Sequence, residues 1–268
     1  MTSITSRETE IAAALAAAQR IQAMYERPKE EGPWTNIATA ELDDLCRVQR
    51  MPGRIVVSFA GTRTKDQWLS NFAHLARMGK NPDGTQSHRG ATEAFKAFVM
   101  RLVPLLRDLG GYKYERSSVP VDVEGHSRGG FLALEFVRIF GDRVKIRDVI
   151  TLGCPRVGDA YHAEMVEFYV TGRIFRWTHN NDFVVCMPGA WRGYRHVGEL
   201  RHIDSSWRVR NSTLGVLSGF TDGVWGRLKA AAKLRALDGV DDHRLPTGYI
   251  PALIDLASAP MNTEGQAL

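Results

Sequence analysis

Ser127 lies in Gly125-His126-Ser127-Arg128-Gly129-Gly130, between a β-type run, Val119-Pro120-Val121-Asp122-Val123, and an apolar helical run from Phe131 to Phe140. A serine between glycines at a strand-to-helix turn is a candidate nucleophile. Such a turn is so sharp that Cβ atoms at Gly125 and Gly129 would clash across it. It lifts the serine into a cleft at the end of the sheet and sets it at a helix N-terminus, where free N–H groups favour developing negative charge. The chemistry implied is acyl transfer, in which a histidine takes the Ser127 proton and an acid orients that histidine. His126 adjoins Ser127 on the strained turn and cannot easily face its Oγ. It reads as a packing or hydrogen-bonding residue beside the turn.

On a nucleophile of this kind the acid and then the base follow in chain order. The candidate acids are Asp148, Asp159, Asp182, Asp204 and Asp222. Asp148 precedes a strand body, and Asp159 after Val157-Gly158 suits a helix cap. Asp182 sits in Asn180-Asn181-Asp182-Phe183-Val184-Val185, just past a strand ending near Thr178, at the sheet edge where catalytic groups gather. It is the chosen acid. Of eight histidines, His196, His202 and His243 come later. His196 lies in an alternating segment, Gly193 to Gly198, that reads as a packed strand. His202 adjoins acidic and arginine residues and suits plain surface. His243 occupies a polar loop, Asp241-Asp242-His243-Arg244, and a late loop is what delivery of a base requires.

These residues need a scaffold, and the chain alternates strand and helix signals. Ile55 to Phe59 reads as a buried strand stopped by Ala60-Gly61-Thr62. Thr92 to Leu109 reads as a helix with Phe95, Phe98, Val99 and Leu102 inward and a kink or break at Pro104. Ile146 to Leu152 is a strand, Asp159 to Val170 a helix and Arg173 to Thr178 a strand. The pattern indicates βαβ units and a mainly parallel sheet. Ahead of them, Thr5 with Glu8 forms a capping box for a helix carrying Ile11, Leu15, Ala18 and Ile21, which ends near Arg27-Pro28. Leu214 to Leu237 is expected to be helical in part.

At 268 residues the chain can bury a large core. No linker, charge block or repeat divides it, so one domain over 1–268 is expected, with 251–268 as a flexible tail. The net charge of +5 is scattered, with a thickening at Arg192, Arg195, Arg201, Arg208 and Arg210 that Glu199 and Asp204 dilute. A nucleic-acid binder would concentrate such charge and interleave aromatics, so a solvated surface is expected and nucleic acid is not. The same charges suit a weak pull toward anionic lipid. Cys46, Cys154 and Cys186 are odd in number and widely spaced, which argues against a disulfide framework or zinc site. No stretch is long enough to span a bilayer and no leader is visible, so a cytoplasmic location is expected, with signal-independent export as the alternative.

Five segments resemble the class 3, fungal-type lipase family of α/β-hydrolases. Val56-Val57-Ser58-Phe59-Ala60-Gly61-Thr62, with Trp68 downstream, looks like the family's strand, oxyanion loop and tryptophan. The Gly125–Gly130 turn matches its nucleophile elbow. Thr151-Leu152-Gly153-Cys154-Pro155-Arg156-Val157-Gly158-Asp159 resembles its G-x-P-R-V-G-[ND] stretch, the most diagnostic of the five. Arg176 through Pro188, carrying Asp182, parallels its acid-bearing loop, and Asp242-His243 resembles its D-H pair. The resemblance implies an α/β-hydrolase fold, with a mainly parallel central sheet flanked by helices. It implies Ser127, Asp182 and His243 as nucleophile, acid and base, and Thr62 with the Arg128 N–H as oxyanion hole. It also implies a structural role for the histidine of His88-Arg89-Gly90. Ala60, Arg128 and His179 depart from the family's usual Arg, Leu and Asn without removing a reacting group.

The resemblance further implies a serine carboxyl-ester hydrolase, a lipase acting on acylglycerol or related lipid esters, with no metal and no organic cofactor. Trp68, Leu69, Phe72 and Leu75 form one face of a short helix, which the family uses as a lid and which an ordinary packed helix would explain equally well. A lid would imply transient contact with a lipid interface, because opening such side chains to water costs on the order of 1.5–3 kcal/mol each. Arg128 at a helix N-terminus opposes the macrodipole, so it is expected to pair with a nearby acid; contact with an acidic substrate group is the alternative. Two other functions stay open: an esterase or acyltransferase for a soluble ester such as a hydroxycinnamoyl or acetyl ester, and an inactive hydrolase fold that binds.

Overall fold

The computed structural model describes residues 6–27, 32–38, 45–61, 77–111, 119–210 and 238–259. Its frame is an eight-stranded sheet ordered β1-β2-β3-β6-β7-β8-β9-β10. The strands are β1 Trp34–Ala38, β2 Leu45–Met51, β3 Arg54–Ala60, β6 Val121–His126, β7 Ile146–Leu152, β8 Ile174–His179, β9 Glu199–Ile203 and β10 Val209–Arg210. β3, β6, β7, β8 and β9 are parallel, while β1, β2 and β10 add antiparallel edges. β4 Met78–Lys80 and β5 Gln86–His88 make a separate hairpin. The expected mainly parallel sheet flanked by helices is what the chain forms. Its inner strands are buried nearly end to end, as strands covered on both faces must be.

Two cores cover the two faces. On one, α2 Arg89–Asp108, α3 Arg128–Phe140 and α4 Ala160–Tyr169 pack Phe95, Phe98 and Phe136 around Phe59 of β3. On the other, α1 Arg7–Glu26 and α6 Ile250–Ser258 bury Ile11, Ile21, Leu253 and Leu256 with Phe175 and Trp177 of β8. Between β10 and α6 the described chain resumes as the short helix α5, Asp238–His243, and a wide turn, Leu245–Tyr249.

Several expectations need correction. The capping box of α1 is Ser6 with Thr9, not Thr5 with Glu8: Ser6 Oγ accepts the Thr9 N–H and Thr9 Oγ1 accepts the Ser6 N–H. α2 runs unbroken through Pro104, because packing of its buried face outweighs the one backbone bond a proline removes. Val99 is only half-buried on it. The 193–198 segment is not a strand; Gly193 and Gly198 turn the chain at φ 86° and 77°, leaving only the Arg195 bridge to Gly158. The expected tail is helical to Ser258, with Ala252, Leu253 and Leu256 buried. The arginine thickening is not uniformly solvated. Arg201 is buried, with Nε 2.7 Å from Glu10 Oε2, tying α1 to β9. Leu214 to Leu237 lies outside the described residues, as does the stretch carrying Trp68, Leu69, Phe72 and Leu75.

A buried polar cluster joins α2, α3 and α4. Glu135 is fully buried and takes bonds from Arg138, from Thr92 Oγ1 at 3.1 Å and from His162 Nε2 at 3.1 Å, while Arg138 also reaches Asp83. Burial would raise the carboxyl pKa, but these donors and charges outweigh it and lower it from the ordinary 4.5 to about 2. Because the folded pKa is depressed, the stabilisation is full above pH 4.5 and is lost as pH falls through about 2. Glu135→Gln should therefore cost about 3 kcal/mol at neutral pH, because it removes the buried charge that Arg138 and His162 bond to and leaves Arg138 paired with Asp83. In urea denaturation the gap to wild type should narrow as pH falls below 4.5; a gap constant with pH would contradict the assignment.

Candidate active site

β6 ends at His126, and α3 begins one residue after Ser127, so the chain reverses within a single residue. Ser127 has φ 57° and ψ −126°, a conformation costing a non-glycine residue about 1–3 kcal/mol. Close backbone approach explains the flanking glycines. A Cβ on Gly125 would stand 2.3 Å from the Gly129 oxygen, and one on Gly129 would stand 2.2 Å from the Phe59 oxygen. The strained backbone also redirects the side chain. Serine before a helix ordinarily caps it, but Ser127 makes no capping bond. Its Oγ lies 2.8 Å from His243 Nε2 instead.

His243 is the last residue of α5, and its Nδ1 is 3.0 and 2.9 Å from the two oxygens of Asp182. A carboxylate only accepts, so Nδ1 carries the hydrogen and Nε2 is the acceptor facing Ser127. Asp182 sits three residues beyond β8 and is buried. It also accepts the Val184 N–H at 2.9 Å and the Tyr249 hydroxyl at 2.7 Å. Burial and the adjacent Asp182 push the Tyr249 phenol well above its usual pKa, which keeps it a donor. Ser127, His243 and Asp182, three residues far apart in the chain, thus form one unbroken line of hydrogen bonds.

The loops bearing acid and base are fastened to each other. The Asp242 carboxylate accepts the Asn181 N–H at 3.1 Å, and its carbonyl accepts His179 Nδ1–H at 3.2 Å. His179, at the position where the resembling family usually has Asn, therefore has a partner of its own and stacks on Trp207. The Gly153-Cys154-Pro155-Arg156 stretch supports the same loops. Gly153 turns at φ 60°, and a Cβ there would meet the His243 ring at 2.9 Å and Asp182 at 3.0 Å. Arg156 Nη1 donates to the carbonyls of Cys186 and Pro188 behind the acid.

The other candidate residues have different places. Asp148 accepts the Arg173 N–H and pairs with Arg147, Asp159 caps α4 through the His162 N–H, and Asp204 closes the turn before β10. Asp222 lies outside the described residues. His196 lies beside Arg176 and Arg156, and burial together with these two cations holds its pKa well below 6.5. His202 is half-buried on β9, with Nδ1 2.9 Å from Thr178 Oγ1, rather than plain surface. His88 caps α2 through Nδ1 and stacks on Phe131. Arg128 opens α3 directly after Ser127. Thr62 lies outside the described residues, although Gly61 before it is packed against Ser127 Cβ. Among the described residues, no three His, Cys, Asp or Glu side chains are grouped to hold a metal ion.

Comparison with known proteins bears directly on this arrangement. Residues 56–191, about half of the chain, match the family model for lipase (class 3). The chain belongs to the class 3 lipase family. Among curated relatives of this class 3 lipase-family chain is the secreted mono- and diacylglycerol lipase 1 of Fusarium solani. It is 30% identical over 170 residues, covering 63% of this chain and 50% of the relative. Another is the chloroplastic phospholipase A(1) DAD1 of Arabidopsis thaliana, 28% identical over 167 residues, 56% of this chain and 37% of the relative. The chain thus spans half or less of either relative's length.

Solved structures that resemble it include Rhizopus niveus lipase II, with TM-score 0.62, 20% identity and coverage of 74% of this chain and 81% of that one. The Rhizomucor miehei lipase–propeptide complex has TM-score 0.60, 21% identity and coverage of 76% and 71%. At these identities the likeness establishes the fold, an α/β-hydrolase. The cytoplasmic location expected from the lack of a visible leader is corrected: the Fusarium relative is a secreted protein, which points to export. Among the described residues no helix is long and apolar enough to cross a membrane.

Tyr249 and Asp242 are neighbours of this line of hydrogen bonds that the sequence reading does not single out. Tyr249 belongs to no motif. Asp242 is visible in the sequence only as half of the D-H pair with His243.

Proposed function

We propose that this chain is a serine carboxyl-ester hydrolase acting on acylglycerols or related lipid esters, with Ser127 as nucleophile, His243 as base and Asp182 as acid. The observation that carries the reading is the continuous bonding from Ser127 Oγ through the His243 ring to Asp182, at 2.8 and 2.9 Å. Membership of the class 3 lipase family supports the ester class, and the lipid-directed names of the Fusarium and Arabidopsis relatives support the substrate.

The chemistry follows from the proton positions. His243 Nε2 takes the Ser127 proton as Oγ attacks the ester carbonyl. Asp182, bound to Nδ1–H, holds the tautomer and stabilises the imidazolium. The tetrahedral oxyanion falls to the Arg128 N–H and to Thr62, the residue after Gly61; loss of one such donor costs roughly 10²–10³ in rate. His243 then returns the proton to the leaving alcohol. A water activated by the same ring attacks the acyl-enzyme, releasing the fatty acid and restoring Ser127.

Transient contact with a lipid interface belongs to this proposal. Nitrophenyl esters of rising acyl length, presented as monomers and as emulsions, test it. A lipid-ester enzyme should turn over long chains and gain activity when its substrate forms an interface. Confinement to acetyl or other short soluble esters under both conditions would overturn the lipid assignment.

A further inference from the structure

Tyr25 stands near the end of α1, outside the segment matched by the family model. Its phenol oxygen is 2.6 Å from the amide nitrogen of Gly61 and 2.9 Å from His126 Nδ1. On the far side of that ring, His126 Nε2 is 2.8 Å from the carbonyl oxygen of His243. Proton bookkeeping sets the direction of every bond. The His243 carbonyl only accepts, so His126 Nε2 carries the hydrogen and Nδ1 the lone pair. Nδ1 therefore accepts from the Tyr25 hydroxyl, whose oxygen accepts from the Gly61 N–H.

The surroundings hold this arrangement in one state. His126 is buried, with its ring edge-on to Tyr25 at 5.8 Å and to Tyr249 at 6.1 Å, and 5.0 Å from the His243 ring. Burial and the neighbouring His243 lower its pKa from 6.5 to about 3, so it stays neutral across the working range. A proton on Nδ1 would turn a second donor toward the Tyr25 hydroxyl, and that does not occur near neutrality.

We infer that Tyr25 and His126 are positioning residues that tie two separate parts of the reacting machinery to α1. One part is Gly61, the residue before the proposed oxyanion donor Thr62; the other is the backbone of the proposed base, His243. The inference rests on the reading of Ser127, His243 and Asp182 as the reacting triad. Apolar packing of α1 is non-directional and would leave both loops free to slide by tenths of an ångström. A directed chain of three hydrogen bonds fixes their spacing across the elbow. Both act through Gly61 and the His243 backbone rather than on the ester itself.

The full-length chain tests the inference through Tyr25→Phe, with Ser127→Ala as control and the ring nitrogens of His126 observed by ¹⁵N NMR. In wild type, His126 should show a protonated Nε2 and an unprotonated Nδ1, unchanged from about pH 5 to pH 8, because its pKa lies below that window. Tyr25→Phe should lower kcat about 10- to 100-fold through misplacement of the reacting groups, with KM within about twofold. Its rate loss should be less than additive with that of His126→Gln, since each breaks the same chain.

A wild-type ring protonated at Nδ1 would overturn the inference, as would unchanged kcat in Tyr25→Phe. The ring signature is read without turnover and in wild type, so it decides even where a variant fails to fold. Activity surviving in Ser127→Ala would instead overturn the triad reading, and the two failures are therefore distinguishable.

Discussion

Ser127→Ala should lower kcat for ester hydrolysis by roughly 10⁶-fold, the scale seen when the nucleophile of a serine triad is removed. The substitution deletes only the oxygen that lies 2.8 Å from His243 Nε2. His243 stays held by Asp182 and its loop by Asp242, so the variant should fold normally. The backbone strain at φ 57° persists with alanine, which has the same Cβ. Ser127→Gly removes that strain and should be the more stable of the two inactive proteins, by about 1 kcal/mol or more. Single-turnover kinetics together with denaturation curves check both halves. Activity within tenfold of wild type would end the assignment of Ser127 as nucleophile.

Asp182→Asn should lower kcat by about 10⁴-fold with little change in overall structure. The carboxylate now accepts from three sides: His243 Nδ1, Tyr249 and the Val184 amide. An amide of the same shape keeps one accepting oxygen and places donors on the other side. Val184 bonds Oδ1 and Tyr249 bonds Oδ2, so if the amide oxygen stays on Val184 the NH2 group takes the place of Oδ2. Its N–H then faces His243 Nδ1, which must give up its hydrogen to accept. The hydrogen then moves to Nε2, and the ring can no longer take the Ser127 proton. The loss should appear in kcat rather than KM, because nothing that contacts the ester has changed. An unchanged kcat would show that another acid orients His243.

How much of this was legible beforehand varies with the kind of interaction involved. The elbow at Ser127 was readable because local backbone sterics require glycine at fixed offsets, and the structure has those glycines in backbone contact. Asp182 could be placed at the sheet's edge from the strand before it. His243 was separable from His196 and His202 only by position and resemblance, since an isolated histidine carries no local signature. The alternation of strands and helices, and with it the mainly parallel sheet, followed from periodicity. The failures were local choices settled by packing: which of two neighbouring pairs capped α1, whether Pro104 broke α2, and whether Gly193 and Gly198 would bend an alternating stretch out of the sheet.

By itself, then, the sequence determined the class of fold and singled out Ser127 as the candidate nucleophile, because each depends on periodic burial or on short-range sterics within a few residues; the family followed from the resemblance of whole segments. Only the tertiary structure decided what surrounds them. Tyr249 on Asp182, Asp242 fastening the base loop and Tyr25 reaching Gly61 and His126 join segments up to about a hundred residues or more apart through single hydrogen bonds. Such bonds need donor and acceptor to meet within about 3 Å. No spacing rule in the chain encodes that meeting; it exists only once both sheet faces are covered and the loops at the end of the strands have nowhere else to go.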